Sequence, residues 1–284
     1  VLLRATLKTE VPIVNAGSTD PTLTETGIPW IVRCINDDRQ NAYMLLDYIY
    51  RVEGLTRVAV LRVNDRDGRL GILEFLQGAR RLRHPVLMEL RFLNGDTDFR
   101  DQLLRIRALK VEAVVLWGNP REAALIVKQM RELGMEHPVF GFDRTAHPLF
   151  LELVGDAGEG VVAVSSYNPT LAEPRWQGFR RRYRERFAEE PDAFAAHAYD
   201  GMNIVIGAIR KAGLNRTRIR DALFSLESFP GVTGRILFDT TLNDVSPPWL
   251  ARVENGRLRY FRPPGWKPPA WRASIDGMNR PGGR

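Results

Sequence analysis

Short apolar runs alternate with longer amphipathic stretches along most of the chain, and this pattern is typical of strands followed by helices. The runs that predict strands lie at residues 11–14, 31–35, 57–63, 86–92, 112–117, 138–141 and 160–164. Helical patterns follow most of these runs and end near residues 52, 83, 109, 133 and 153. Strands and helices that alternate at this spacing form βαβ units, so the sequence predicts an α/β fold with a mostly parallel sheet.

Other patterns occur at the two ends of the chain. Further helices are predicted at residues 1–10, 176–187, 192–212 and 217–226. Residues 231–239 and 249–261 are predicted to form antiparallel strands, the second pair turning at Asn255-Gly256, because Asn-Gly is favoured in two-residue hairpin turns. The tail at 263–284 is rich in Pro and Gly, and we expect it to be loosely ordered.

The stretch at residues 11–24 combines a strand pattern with a helix start. A Val- and Ile-containing run at 11–14 leads into the turn Gly-Ser-Thr at 17–19. Asp20 and Pro21 then have the order of a helix cap followed by the first helical residue. Such a connection presents amide N–H groups and hydroxyls to a small anion, such as a carboxylate. A connector that binds nothing fits the same local pattern, and both interpretations stay open.

Ligands of parallel sheets bind beyond the carboxyl ends of the strands. This rule selects loops at residues 17–19, 64–68, 117–119 and 142–143. Trp117 fits a core residue or a pocket wall equally well. Asp143 either caps the helix that follows it or binds a ligand.

Composition indicates a globular protein with a substantial core: 44% of the 284 residues are hydrophobic and 26% are charged. The single cysteine, Cys34, excludes an internal disulfide and is expected to be buried. The net charge of +7 permits weak binding to anionic surfaces. However, the arginines at 180–186 alternate with an acid, which favours a solvated helix face over a nucleic-acid interface.

Motifs for catalysis and for cofactors are missing from the sequence. No Gly-rich dinucleotide loop follows a strand, and no nucleophile elbow is present. The histidines have no metal-ligand spacing with one another or with Cys34. We therefore expect no catalytic residue, no metal and no cofactor, and a protein that is not an enzyme.

The segments near residues 1–35 and 168–236 hold few strands if they form one lobe. A doubly wound sheet needs more strands than these to cover its helices. The sequence is therefore expected to begin inside a domain whose first strand–helix units are absent.

Several motifs occur together in a fixed order. They are VPIV at 11–14, GSTDPTLT at 17–24, WIVR at 30–33, RVAVL at 57–61, ND at 64–65 with Gly68, GDTDF at 95–99, VKQMRELG at 127–134, GEG at 158–160 and PDAFAAHAYD at 191–200. In these motifs the chain resembles the type I periplasmic solute-binding proteins of ABC transporters, in the leucine/isoleucine/valine-binding branch. The resemblance covers almost everything from residue 1 to about residue 260.

This resemblance implies two lobes with doubly wound sheets that close on a ligand, joined by three crossovers near residues 36–38, 165–167 and 238–239. Lobe 1 would comprise residues 1–36 with 168–237, and lobe 2 residues 38–165 with 240–262. The resemblance also implies that lobe 1 is incomplete at its start and lacks an early serine that helps to hold the ligand carboxylate.

The resemblance also implies roles for individual residues. Gly17, Ser18 and Thr19 match the loop that holds the α-carboxylate and part of the α-ammonium of an amino acid. Asp143 falls where the family has an acid facing the ammonium, and Phe194 matches an apolar contact near the side chain.

Two positions depart from the family pattern. Asp67 and Asn119 stand where aromatic residues are common, which makes the pocket more polar unless Trp117 or Phe142 fills the space. A strictly branched aliphatic ligand is therefore in question, and a polar or basic amino acid is an alternative, because Asp67 with Asp143 could hold a second cation.

The predicted function is that of an extracytoplasmic ABC-transporter substrate-binding protein. Its partners would be an amino acid, branched-chain or more polar, and a membrane permease, with no nucleic acid. The alternative is a sensory or regulatory module of the same fold, since fold alone does not decide function.

Overall fold

The computed structural model describes residues 2–266, and within them the chain forms two compact units. Unit 1 comprises residues 2–37 and 166–247, and unit 2 comprises residues 38–165 and 248–266. The predicted loose tail lies outside the described residues from position 267 onward.

The third division of the chain falls after Pro247, later than the crossover expected near residues 238–239. The reason is that the intervening segment bonds to unit 1. The Leu242 carbonyl accepts a hydrogen bond from the Arg33 amide at 2.9 Å, and the Ser246 carbonyl accepts one from the Asn36 side chain at 2.7 Å.

The first segment of unit 1 is short and contains a parallel strand pair. Its elements are α1 (Leu2–Thr9), β1 (Ile13–Asn15), α2 (Thr22–Glu25) and β2 (Ile31–Arg33). β1 and β2 pair in parallel, with Ile13 opposite Ile31. Cys34, directly after β2, is fully buried as expected.

Unit 2 is built mainly from the middle segment, in which strands and helices alternate. Its elements are α3 (Asp38–Leu46), β3 (Val58–Val63), α4 (Arg66–Arg81), β4 (Met88–Phe92), α5 (Arg100–Ala108), β5 (Ala113–Trp117), α6 (Pro120–Glu132), β6 (Val139–Gly141), α7 (Pro148–Val154) and β7 (Val162–Ser165). α3 continues as a π-helical segment, Asp47–Val52, and a 3-10 turn at Asp143–Ala146 follows β6.

The last segment returns to unit 1 and then to unit 2. Its elements are α8 (Pro174–Phe187), α9 (Ala193–Ala212), α10 (Arg216–Phe224), β8 (Ser228–Pro230), β9 (Arg235–Leu237), β10 (Trp249–Glu254) and β11 (Arg257–Phe261). The hairpin predicted at Asn255-Gly256 is confirmed, and both residues have the positive φ that its turn requires. Of the strands predicted at 231–239, only residues 235–237 are in a strand, β9. Its partner is β8, and residues 231–234 form the turn between the two.

The sheet of unit 2 has seven strands in the order β11-β10-β7-β6-β5-β3-β4. The strands from β4 to β7 are parallel, and β10 and β11 are antiparallel. The chain passes from β3 to β4 on one side and then to β5 on the other, so the order reverses at β3 as in doubly wound sheets. β3 and β5 are buried along their whole length, which explains their near-continuous apolar sequences.

The α/β fold with a mostly parallel sheet is thus confirmed. Within the described part of unit 1, the sheets are the two-stranded pairs β1-β2 and β8-β9. Among residues 2–266, no helix has both the length and the apolar character needed to cross a membrane.

Candidate ligand-binding site

The loop after β1 is organised by the side chain of Asn15. The Asn15 Oδ1 accepts hydrogen bonds from the amides of Gly17 and Ser18, at 3.2 and 2.9 Å, and its Nδ2 donates to the Ser18 carbonyl at 2.7 Å. Asn side chains that follow a strand often form such turns. Both amides therefore already donate to Asn15, and their predicted role towards an anion stays a prediction.

The helix that follows this loop is a single turn, α2. Asp20 accepts a hydrogen bond from the Thr22 amide at 2.9 Å, but the helix begins at Thr22, one residue later than the predicted start at Pro21. A helix of this length aligns few peptide dipoles, so its N-terminus adds little attraction for an anion. Within residues 2–266, the Ser18 hydroxyl and the Thr19 amide and hydroxyl have no hydrogen-bond partner, and these groups are the donors left to a ligand.

The side chain of Arg33 supports this loop from within unit 1. Arg33 is fully buried in β2. Its guanidinium donates to the Ser18 and Pro21 carbonyls, each at 3.4 Å, and to the Thr24 hydroxyl at 2.9 Å. Sequence reasoning missed this role, although one arginine inside the apolar run at residues 30–35 was a signal for it.

Phe194 lies in the first turn of α9, which Asp192 caps by accepting a hydrogen bond from the Ala195 amide at 2.7 Å. The Phe194 ring is 41% exposed. Its predicted role as an apolar contact stays a prediction.

In unit 2, polar side chains that follow four neighbouring strands are joined in a row by four hydrogen bonds. We call this set the polar ring; its members are Asp65, Asp67, Asn94, Asn119 and Arg144. Asn94 donates to Asp65 at 3.0 Å, and Asn119 donates to Asn94 at 2.8 Å. Arg144 donates to Asn119 Oδ1 and to Asp67 Oδ2, each at 2.6 Å. The row therefore extends along the carboxyl ends of β4, β3, β5 and β6 and includes β3, where the strand order reverses.

The polar ring holds two carboxylates and one guanidinium, so its charges are only partly compensated within it. Asp67 and Arg144 form an ion pair, with about equal exposure of the two side chains, 41% and 38%. Burial alone would raise the pKa of the Asp65 carboxyl, but hydrogen bonds from the Gly68 amide and Asn94, with the charge of Arg144, lower it below its ordinary value. Arg144 is the cation that pairs with Asp67 in the structure, and the alternative that Asp67 and Asp143 hold a ligand cation stays a prediction.

Asp143 begins the 3-10 turn after β6 and is partly exposed. One carboxylate oxygen accepts a hydrogen bond from the Arg144 amide at 2.9 Å, and the other has no hydrogen-bond partner within the described residues. Burial raises the pKa of Asp143, while the charge and the amide of Arg144 act in the opposite direction. A helix cap would accept from an amide two or three residues ahead, so this bond to the next residue is not a capping bond, and the role of Asp143 in binding a ligand stays a prediction.

Trp117 lies in the core of unit 2. Its side chain is 5% exposed, and its ring lies 3.8 Å from that of Phe142, centroid to centroid. The ring also fills the space beside Gly71, where a Cβ atom would lie 1.9 Å from Trp117. These contacts favour the core interpretation of Trp117, and Phe142 is buried as well.

Of the residues predicted from sequence, the structure thus brings Asp67 and Asn119 together through Arg144, with Asp143 adjacent in sequence. Gly17, Ser18 and Thr19 form one loop in unit 1. Among the described residues, no group of His, Cys, Asp and Glu is arranged to hold a metal ion.

Comparisons with known proteins agree with the resemblance inferred from the motifs. The model of the periplasmic binding protein family matches residues 2–257. A Leu/Ile/Val-binding protein homolog from Brucella abortus is 24% identical over 273 residues, which cover 89% of this chain and 69% of that protein.

Solved structures are also similar to this chain. A leucine-binding protein from Thermotoga maritima is 26% identical, with a TM-score of 0.84 over 91% of this chain and 74% of that one. A branched-chain amino acid transporter substrate-binding protein from Streptococcus pneumoniae, solved with isoleucine, is 25% identical, with a TM-score of 0.81 over 92% of this chain and 75% of that one. With its fold and with a family match over nearly its whole length, the chain belongs to the periplasmic binding protein family.

Proposed function

We propose that this protein is the substrate-binding component of an ABC transporter. It binds an α-amino acid outside the cytoplasm, without changing it chemically, and delivers it to a membrane permease. Family membership supports this role, as do the relatives named for binding leucine, isoleucine and valine and the Streptococcus pneumoniae structure with isoleucine.

The observation that carries the proposal is the chemistry of the groups left without partners. The Ser18 hydroxyl and the Thr19 amide and hydroxyl can donate to the α-carboxylate of an amino acid. The second oxygen of Asp143 can accept from the α-ammonium, and charge-assisted hydrogen bonds of this kind are stronger than neutral ones. Each set, taken in its own unit, suits one of the two charged groups of an α-amino acid.

The test is calorimetry on the purified protein, after a thermal-shift screen of L-amino acids and small carboxylates. We expect Asp143→Asn to weaken binding of the best amino acid at least about tenfold, because a charged hydrogen-bond acceptor is lost. The matched control is Asp101→Asn, which changes an exposed aspartate in the first turn of α5. Unchanged affinity in Asp143→Asn would remove Asp143 from the site.

A second comparison identifies the group that Asp143 contacts. The carboxylic acid that lacks only the α-amino group should bind more weakly than the amino acid to the parent protein. In Asp143→Asn this difference should shrink, because the ammonium has lost its partner. A protein that binds no amino acid at all would contradict the proposed function itself.

A further inference from the structure

The polar ring of unit 2 retains hydrogen-bonding capacity beyond its internal bonds. The guanidinium of Arg144 carries further N–H groups besides those that donate to Asn119 and Asp67. The Asn119 amide has a second N–H besides the one that donates to Asn94. Among the described residues, Asp67 Oδ1 accepts no hydrogen bond. Donors and an acceptor are therefore available side by side.

These groups are also accessible. The side chains of Asp67 and Arg144 are 41% and 38% exposed, and Asn119 is half-buried. They follow β3, β5 and β6, at the carboxyl ends of these strands. The strand order reverses here, and ligands of doubly wound sheets bind at such reversals. A ligand bound at the carboxyl ends of these strands would contact the polar ring.

The bonds that the charged groups of the ring already make favour one type of ligand group. Asp67 forms an ion pair with Arg144 at 2.6 Å, and the two carboxylate oxygens of Asp65 accept hydrogen bonds from the Gly68 amide and from Asn94. A neutral group that both donates and accepts hydrogen bonds fits the remaining capacity. Hydroxyl and carboxamide groups have this property.

A ligand with an apolar side chain has less support at the carboxyl ends of these strands. The nearby aromatic residues that could offer an apolar wall, Trp117 and Phe142, are 5% and 3% exposed and pack against each other. An aliphatic ligand side chain that covers the ring would remove water from its polar groups without replacing the lost hydrogen bonds. Sites that hydrogen-bond a ligand group discriminate strongly against the analogue that lacks it.

We infer that the amino acid bound by this protein has an uncharged polar side chain, a hydroxyl or a carboxamide, which Asp67, Asn119 and Arg144 recognise. This inference rests on the proposed function and names the substrate class for the same site. It takes the more polar of the two alternatives that the sequence left open.

The experiment compares ligands of nearly equal shape by calorimetry on the parent protein. L-threonine is paired with L-valine and L-asparagine with L-leucine, and L-aspartate and L-lysine serve as the charged ligands. We expect at least one polar member to bind about tenfold or more tightly than its apolar partner and than both charged amino acids.

A substitution of Asn119 tests whether the polar ring causes the preference for the polar ligand. Asn119→Leu keeps the approximate size of the side chain and removes its amide, so the preference for the polar member should fall about tenfold. Asn203→Leu, which removes an amide that bonds within α9, should leave the preference unchanged. The ligand comparison on the parent protein stands even if Asn119→Leu does not fold.

The outcomes separate the two proposals. Equal or tighter binding of valine and leucine, or tightest binding of a charged amino acid, would overturn the inference and leave the proposed function intact. A full preference retained in folded Asn119→Leu would overturn the assignment to the ring. Failure of every amino acid to bind would overturn the proposed function, and the inference with it.

Discussion

Arg144 donates a hydrogen bond to Asp67 across 77 positions of sequence, and the donor and acceptor atoms are 2.6 Å apart. The bond connects the turn after β6 to the first turn of α4, which follows β3. Because β5 lies between these strands, Asn119 at its end bonds to the same guanidinium. An ion pair this exposed adds about 0–1 kcal/mol to stability, so its main effect is to fix the positions of the three side chains.

The contact between Gly71 and Trp117 predicts a cost for a single added methyl group. In Gly71→Ala the new Cβ would lie 1.9 Å from the Trp117 ring, so α4 or the ring must shift. We expect the free energy of unfolding to fall by about 1–3 kcal/mol, as for other overpacked cores. Chemical denaturation followed by tryptophan fluorescence measures the change.

The control for this substitution is Gly207→Ala in α9. Gly207 is exposed and helical, and a Cβ there has no atom within 4 Å. Alanine should stabilise that helix by about 0.5–1 kcal/mol, because glycine loses more backbone entropy on folding. Equal effects of the two substitutions would show that Trp117 does not fill the space beside Gly71.

Substitution of the buried Arg33 should lower the stability of unit 1. Arg33→Met keeps an apolar side chain of similar length but removes the donors to Ser18, Pro21 and Thr24. We expect unfolding to become about 2–4 kcal/mol easier, since buried acceptors lose a charged partner.

Arg181→Met provides the matched comparison in the same unit. Its side chain is 73% exposed and lies 4.0 Å from Glu185. Its substitution should change stability by less than about 0.5 kcal/mol. If the two variants unfold at the same denaturant concentration, the support that Arg33 gives to the loop is unimportant.

The lowered pKa of the buried His197 should make the stability of unit 1 depend on pH. Burial lowers the pKa of His197 to about 4, against the raising effect of the bond to the Cys34 carbonyl. That carbonyl only accepts, at 2.8 Å, so Nδ1 carries the proton and the neutral ring accepts from the Ser166 hydroxyl at Nε2.

The sign of the effect follows from proton binding. The unfolded chain binds the His197 proton near its ordinary pKa of 6.5, before the folded chain does. The contribution of the neutral ring is therefore complete above about pH 6.5 and is lost as the pH falls towards 4, which amounts to about 3 kcal/mol. Denaturation curves at pH 7 and 4.5 should differ less for His197→Gln than for the parent protein. Parallel losses in both proteins would contradict this assignment.

Elements with strong local patterns could be predicted from the sequence. β3 and β5 are apolar except for Arg62 because both faces of the sheet are covered, and α9 is bounded by Asp192 and Gly213 as its pattern indicates. The hairpin at Asn255-Gly256 could be predicted because its turn requires positive φ values, which Asn and Gly adopt readily. In each of these cases the determining residues are neighbours in sequence.

The parts that could not be predicted depend on distant residues. The sequence predicts Asp143 as a site residue but not Arg144, because nothing near Arg144 in sequence indicates a bond to Asp67. The bonds from the amides after β1 to Asn15 depend on a side-chain conformation that the sequence does not specify. The roles of Gly17, Ser18, Thr19, Asp143 and Phe194 in binding stay predictions.

The sheet of unit 2 has a consequence for how the protein is made. β7 ends at Ser165, yet its antiparallel neighbour β10 begins only at Trp249, after the last segment of unit 1. During synthesis, the nascent chain therefore carries an unpaired sheet edge at β7 until the final hairpin emerges. Such an edge is a template for pairing with other chains, so we expect the risk of aggregation to be high in this interval.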